Sequence, residues 1–102
     1  MFSIFKKLFG PGTDFKALAQ QGALIIDVRS PGEFSGGHIK GAQNIPVDKI
    51  ANQVAKLKKT GKPIITCCRS GARSGMAAGI LKQNGIEAYN GGPWNVLNSK
   101  IK

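Results

Sequence analysis

Residues 64–74 read Ile64-Ile65-Thr66-Cys67-Cys68-Arg69-Ser70-Gly71-Ala72-Arg73-Ser74. Two β-branched apolar residues and a threonine lead into a pair of cysteines, a composition that suits a buried strand. A short loop with one glycine and two arginines follows, and then a helix-like segment from Ser74 to Asn84. In a strand, tight loop and helix of this kind, loop N–H groups turn inward around the side chain that ends the strand. The helix N-terminus adds its partial positive charge. Such a cradle favours an anionic sulfur. A free thiol has a pKa of about 8.5, and N–H donors with nearby arginines lower it toward a nucleophilic thiolate.

Spacing alone leaves two frames open. Counted from Cys67, five residues precede Arg73 and Ser74, the bare spacing of a cysteine phosphatase or arsenate reductase loop. Counted from Cys68, the run is C-R-S-G-A-R, a six-residue loop closed by Arg73 with Gly71 three residues on. This second frame resembles the active-site loop of the rhodanese family of sulfurtransferases, which fits around a persulfide sulfur. Phosphatase loops usually carry histidine before the nucleophile, whereas Thr66 precedes Cys67. The resemblance therefore implies Cys68 as the nucleophile. It also implies that the amides of Arg69, Ser70, Gly71, Ala72 and Arg73 hold the persulfide anion, and that Arg69 holds an anionic donor or acceptor. Cys67, one position earlier in a strand, is expected on the opposite face as a small buried apolar residue.

The resemblance continues through Asp27-Val28-Arg29, Glu33-Phe34, Gly37-His38-Ile39-Lys40-Gly41-Ala42 and Asn44-Ile45-Pro46, and again at Gly91-Gly92 and Trp94. It spans residues 13 to 97. It implies an α/β fold, the rhodanese-like open parallel sheet with helices on both faces and the site outside the carboxyl ends of its strands. Ala23 to Val28 is a near-continuous apolar run interrupted by Asp27, as expected for a strand buried on both faces. A buried carboxylate needs a partner. Arg73 is the candidate, locking the loop to Asp27 or Glu33, and Asp27, Arg29 and Glu33 form the loop's support. His38, the only histidine, belongs in the family to the structural G-H-I segment, so it is expected buried or half-buried and bonded to backbone.

Elsewhere the signals are local. Residues 1–12 form an amphipathic segment, with Phe2, Ile4, Phe5, Leu8 and Phe9 on one side, followed by a Gly10-Pro11-Gly12 hinge. Residues 13–102 form a single domain. Thr13 is placed to cap a two-turn helix. Ser30-Pro31-Gly32-Glu33 has capping-box spacing with Pro at the first helical position. Val47, Ile50, Ala51, Val54 and Leu57 recur at helical spacing over residues 47–60. Gly75 and Gly79 are expected to pack the helix after the loop onto the strand that carries Cys68. Ile86 to Asn90 reads as a short strand, Asn90 to Pro93 as a tight loop, and Trp94 to Lys100 as a terminal helix.

Fifteen Lys and Arg against five Asp and Glu give a formal charge of +10 over 102 residues. The run Lys56-Leu57-Lys58-Lys59-Thr60-Gly61-Lys62 is read as the solvated basic end of a helix. No nucleic-acid motif accompanies it, so a nucleic-acid partner is not expected. The positive field instead suits a small anionic sulfur donor. The resemblance implies a thiol, a protein thiol or cyanide as the acceptor. Two adjacent cysteines make neither a disulfide framework nor a metal set, and no metal or other cofactor is expected. The chain reads as cytoplasmic; residues 1–10 are expected to dock on their own domain, pair with a second copy or move freely, the alternative being a weak membrane-surface contact at the inner face. A sulfur carrier or protein-docking module with little turnover is the alternative to an enzyme.

Overall fold

A computed structural model describes residues 12–102; the amphipathic segment expected at residues 1–10 lies outside them. In chain order the elements are α1 (Phe15–Gln20), β1 (Leu24–Asp27), α2 (Pro31–Ser35), β2 (Gln43–Asn44), α3 (Ile50–Lys59) preceded by a tighter turn at Val47–Lys49, β3 (Ile64–Cys68), α4 (Ala72–Gln83), β4 (Ala88–Pro93) and α5 (Trp94–Ile101). The strands form one sheet in the order β2-β1-β3-β4, every pair parallel, as expected of strands that alternate with helices. Ile25 lies opposite Ile65, and Asp27 opposite Cys67. No helix among the described residues is long and apolar enough to cross a membrane.

Alternation along β3 divides the core. Ile64 and Cys68 face one side with Ile26, Val28, Ile50, Leu57, Ala77 and Leu81, so α3 and α4 cover that face. Ile65 and Cys67 face the other with Ile39 and Leu97, and Phe15 and Trp94 pack against them from α1 and α5. All five residues of β3 are buried, which is why this strand shows no polar alternation.

Several boundaries differ from the expected ones, each for a local reason. Asp14, not Thr13, caps α1, because its carboxylate accepts from the Ala17 N–H at 3.0 Å. The capping box at Ser30 and Glu33 is formed in both directions, as expected. α4 begins at Ala72 instead of Ser74, because Gly71 adopts φ +100° and turns the chain into the helix at once. β4 starts two residues late and runs on through Pro93. Between the pairs Thr66–Asn90 and Cys68–Pro93, two steps on β3 face three on β4. This bulge bends β4 over the end of β3. It also explains Gly91: a Cβ there would stand 2.7 Å from the Thr66 carbonyl and 2.8 Å from Leu97 Cδ2. Gly75 does permit a close approach, but to the side chain of Asn90 on β4, and nothing lies within 4 Å of a Cβ at Gly79. The expected packing of these two glycines on β3 is therefore not what they serve.

Candidate active site

Cys68 ends β3 and is fully buried, with the loop folded over its sulfur. The Gly71 N–H donates to Sγ at 3.0 Å and the Ser74 N–H at 3.4 Å, while the Ser74 hydroxyl lies 3.3 Å away. Burial pushes this thiol's pKa up, but the Ser74 hydroxyl and the N–H groups of Ser74, Gly71 and Ser70 more than offset it, and the net direction is down. The cradle is thus the amides of Ser70, Gly71 and Ser74. The amides of Arg69, Ala72 and Arg73 are not among these donors to Sγ; their expected partner is the outer sulfur of a persulfide.

Cys67 has the opposite environment. It is fully buried on the other sheet face, and its pKa is pushed up to about 12, first by burial and then by the Asp27 charge. A thiol held in that state is a poor nucleophile, and the loop N–H donors converge on Cys68 rather than on Cys67. The expected opposition of the two cysteines is what the structure has.

Ser74 and Asn90 carry parts that the sequence reading did not assign. The Ser74 hydroxyl donates to Asn90 Oδ1 at 2.7 Å, and the Gly92 N–H donates to the same oxygen at 3.0 Å. Asn90 Nδ2 donates to the Gly71 carbonyl at 3.1 Å. Behind them the Thr66 hydroxyl, fully buried, donates to the carbonyls of Ser74 at 2.8 Å and Tyr89 at 3.2 Å. The middle of the loop and the residue that follows it are therefore pinned to β3 and β4. A serine hydroxyl has one proton and two lone pairs. When Cys68 is a thiol its S–H can donate to Ser74 while Ser74 donates to Asn90. When it is a thiolate, the Ser74 proton can turn to the sulfur. In Ser74→Ala one hydrogen bond to a charged sulfur is lost, worth about 1.5 kcal/mol, which cuts the thiolate fraction below the pKa about tenfold. Iodoacetamide alkylation of Cys68 against pH should show its midpoint displaced upward. An unmoved midpoint would remove the hydroxyl from this role.

The charged support differs from the expected pairing in one respect. Asp27, with no exposed surface, is held by Arg29 and not by Arg73. Arg29 Nε donates to both carboxylate oxygens at 2.9 and 3.0 Å, and Nη2 reaches Oδ2 at 2.7 Å. Residues two apart on an extended chain share a face, so the pair forms almost within one strand. Arg73 instead grips Glu33, its two Nη groups donating to Oε1 at 2.8 Å and Oε2 at 3.1 Å. That ion pair, with Ser30, holds the Glu33 carboxyl down at about 2. It ties the C-terminal end of the loop to the start of α2. His38 is exposed, not buried; it stacks on Phe34 at 3.7 Å between ring centroids, with Nδ1 2.7 Å from the Phe34 carbonyl oxygen. Arg69 and Ser70 are exposed at the loop's outer rim.

A parallel α/β sheet with a buried, amide-cradled thiol at the carboxyl end of a central strand defines a class of thiolate sites built for an anionic sulfur. Comparison with known proteins makes the class specific. The rhodanese-like domain model matches residues 12–95, and the chain belongs to that family. An uncharacterized protein, YqhL, of Bacillus subtilis is 44% identical over 82 residues, covering 78% of this chain; the chain spans 64% of that protein's length. The thiosulfate sulfurtransferase GlpE of Pseudomonas fluorescens is 34% identical over 84 residues, covering 82% of this chain and 74% of the relative. A solved rhodanese from E. coli, described as containing anions, superposes with a TM-score of 0.68 at 28% identity, covering 74% of this chain and 91% of that one.

Proposed function

We propose that this chain is a sulfurtransferase that moves a sulfane sulfur from thiosulfate, or a related anionic donor, to a thiol or cyanide acceptor through a persulfide on Cys68. The observation that carries the reading is the convergence of Gly71 N–H, Ser74 N–H and the Ser74 hydroxyl on one buried sulfur. Family membership and the relative named a thiosulfate sulfurtransferase add to it.

In the first half-reaction the Cys68 thiolate attacks the outer sulfur of thiosulfate. A new S–S bond forms, the donor's S–S bond breaks, and its electron pair leaves with sulfite. In the second, an acceptor thiolate attacks the outer persulfide sulfur and the electron pair returns to Cys68. Neither half needs an external oxidant. Preorganised amides stabilise the sulfur anion in both, without reorganising at the moment of reaction. No general base is required, because the cradle already favours the thiolate. Both cysteines are free thiols, a state suited to a reducing cytoplasm.

The test is intact mass of the reduced protein after brief exposure to thiosulfate, with sulfite measured in parallel. One added sulfur atom per chain and one sulfite released are expected, and cyanide should then remove the sulfur as thiocyanate. A persulfide that forms but does not turn over would favour the carrier reading. No added sulfur would refute the proposal.

A further inference from the structure

Asn90 stands on β4 beside the loop, and its neighbours allow its amide one orientation. Oδ1 accepts from the Gly92 N–H at 3.0 Å. Nδ2 donates at 3.1 Å to the Gly71 carbonyl, which also accepts from the Gly75 N–H at 3.0 Å. Turning the amide over would set N–H against N–H and oxygen against oxygen. The Asn90 atom 2.7 Å from the Ser74 hydroxyl is therefore an oxygen with no hydrogen, and Ser74 must be the donor. A serine hydroxyl has one proton. While that proton lies on Asn90, the hydroxyl offers Cys68 Sγ, 3.3 Å away, only lone pairs. Ser74 has no exposed surface, so bulk water supplies no second acceptor.

What this does to Cys68 depends on where negative charge sits. In the thiol, S–H donates to Ser74 and Ser74 to Asn90, and every proton has an acceptor. In the thiolate, the Ser74 proton serves the sulfur anion only by leaving Asn90, whose Oδ1 then keeps the Gly92 N–H alone. In a persulfide the inner sulfur is an uncharged divalent atom and the charge lies on the outer one, so the Ser74 proton goes back to Asn90. The Asn90 acceptor thus opposes the thiolate by one competing hydrogen bond and leaves the persulfide unopposed. Charged and titratable groups on the surrounding elements lie off this path. Arg73 is paired with Glu33, and Cys67 lies with Asp27 and Arg29 on the other sheet face. Tyr89 on β4 donates to Glu87, and Arg69 is exposed.

We propose that Asn90 is a positioning residue for sulfur transfer: it takes back the Ser74 proton as charge leaves the inner sulfur, and so biases Cys68 toward the sulfur-loaded state over the bare thiolate. In the loading step Cys68 Sγ bonds the outer sulfur of thiosulfate, the donor's S–S bond breaks, and the electron pair leaves with sulfite. The Ser74 proton turns from Sγ to Asn90 Oδ1 and stays on Ser74 throughout. The persulfide half of the inference rests on the sulfurtransferase reading. The competition between Cys68 and Asn90 for one proton stands without it.

The experiment compares the full chain with Asn90→Leu, in which a side chain of similar bulk at an exposed position accepts no proton. Two quantities are read: the pH midpoint of iodoacetamide alkylation at Cys68, and the ratio of sulfur-loaded to bare chain at equilibrium in a fixed mixture of thiosulfate and sulfite. The second is taken by intact mass at a pH above both midpoints. Asn90→Leu should lower the midpoint, with about fivefold more thiolate at a pH below it, and should lower the loaded ratio about fivefold. In a Ser74→Ala background the same change should not lower the midpoint, because the contested proton is gone. Loop support alone predicts the reverse, since a loosened loop draws N–H donors off the sulfur and the midpoint rises. An unmoved or raised midpoint, an equal fall without Ser74, or an unchanged loaded ratio overturns the proposal. Asn90→Asp keeps an acceptor and strengthens it, so both readouts should move the other way. If circular dichroism shows Asn90→Leu unfolded, Asn90→Asp decides: its effect must shrink severalfold in Ser74→Ala, and one that does not shrink is charge alone and overturns the assignment. If thiosulfate loads no sulfur on the parent chain, the sulfurtransferase reading fails, and the alkylation midpoints still decide whether Asn90 competes for the Ser74 proton.

Discussion

Replacing Cys68 with serine abolishes sulfur uptake from thiosulfate, whereas Cys67→Ser keeps it within about threefold, since only one of the two thiols has the environment of a nucleophile. The residues are adjacent in one strand, so composition, solvent exposure and backbone conformation barely distinguish them. The environments around their sulfurs do. Cys68 receives two N–H bonds and a hydroxyl, while Cys67 lies among Ile39, Ile65 and Leu97. A serine at 68 keeps the loop's donors occupied by an oxygen, so the fold should persist and melting should change little. What vanishes is a group that can be anionic near neutral pH and can bond a sulfane sulfur. A serine at 67 puts a hydroxyl into an apolar cluster and should cost about 1–3 kcal/mol of stability with the chemistry intact. Intact mass after thiosulfate, read beside the melting curves, separates the two effects. Retained uptake in Cys68→Ser with loss in Cys67→Ser would return the nucleophile to the other frame.

The loop was legible in the sequence because its parts are local. A glycine at the required position, a strand before it and a helix after it are all read within eleven residues, and the cradle forms from those same residues. The box at Ser30 and Glu33 was legible for the same reason. Asn90 was not, because its place beside Ser74 depends on the bulge between β3 and β4, which no spacing along the chain reveals. The partner of Asp27 is a different case. Alternation puts residues 27 and 29 on one face, so Arg29 was within reach of a sequence argument; expecting a bond across the molecule to Arg73 passed over a nearer one. The expectation that His38 would be buried followed from a family role, and the role does not require burial: a ring stacked on Phe34 and bonded to a carbonyl is held from the outside.

That nearer pair sets the largest stability effect in the molecule. Asp27→Ala should cost about 3–5 kcal/mol, since it leaves the Arg29 guanidinium buried without its counter-charge. For a domain of this size, that lowers the melting temperature by roughly 12–40 °C at about 4–8 °C per kcal/mol. The residues are 0% and 4% exposed, so water cannot replace the missing partner. The loss spreads beyond the pair. Arg29 also holds the carbonyls of Glu33 and Gly37, and the Asn44 side chain donates to the carbonyls of Asp27 and Arg29 at 3.0 and 2.9 Å. This one guanidinium therefore joins β1 to the middle of α2 and to the turn that follows it. Arg29→Lys keeps the charge but cannot reproduce a fork that meets a carboxylate and two carbonyls together, so it should also melt well below the parent. Glu33→Gln removes a partly exposed partner and should shift melting far less. The informative comparison is Asp27→Leu with Arg29→Met: an apolar pair of similar bulk carries no unpaired charge, and it should recover part of what either single change loses. Melting temperatures of these variants by circular dichroism decide the matter. A near-normal value for Asp27→Ala would mean that the pair, though buried, is dispensable to the fold.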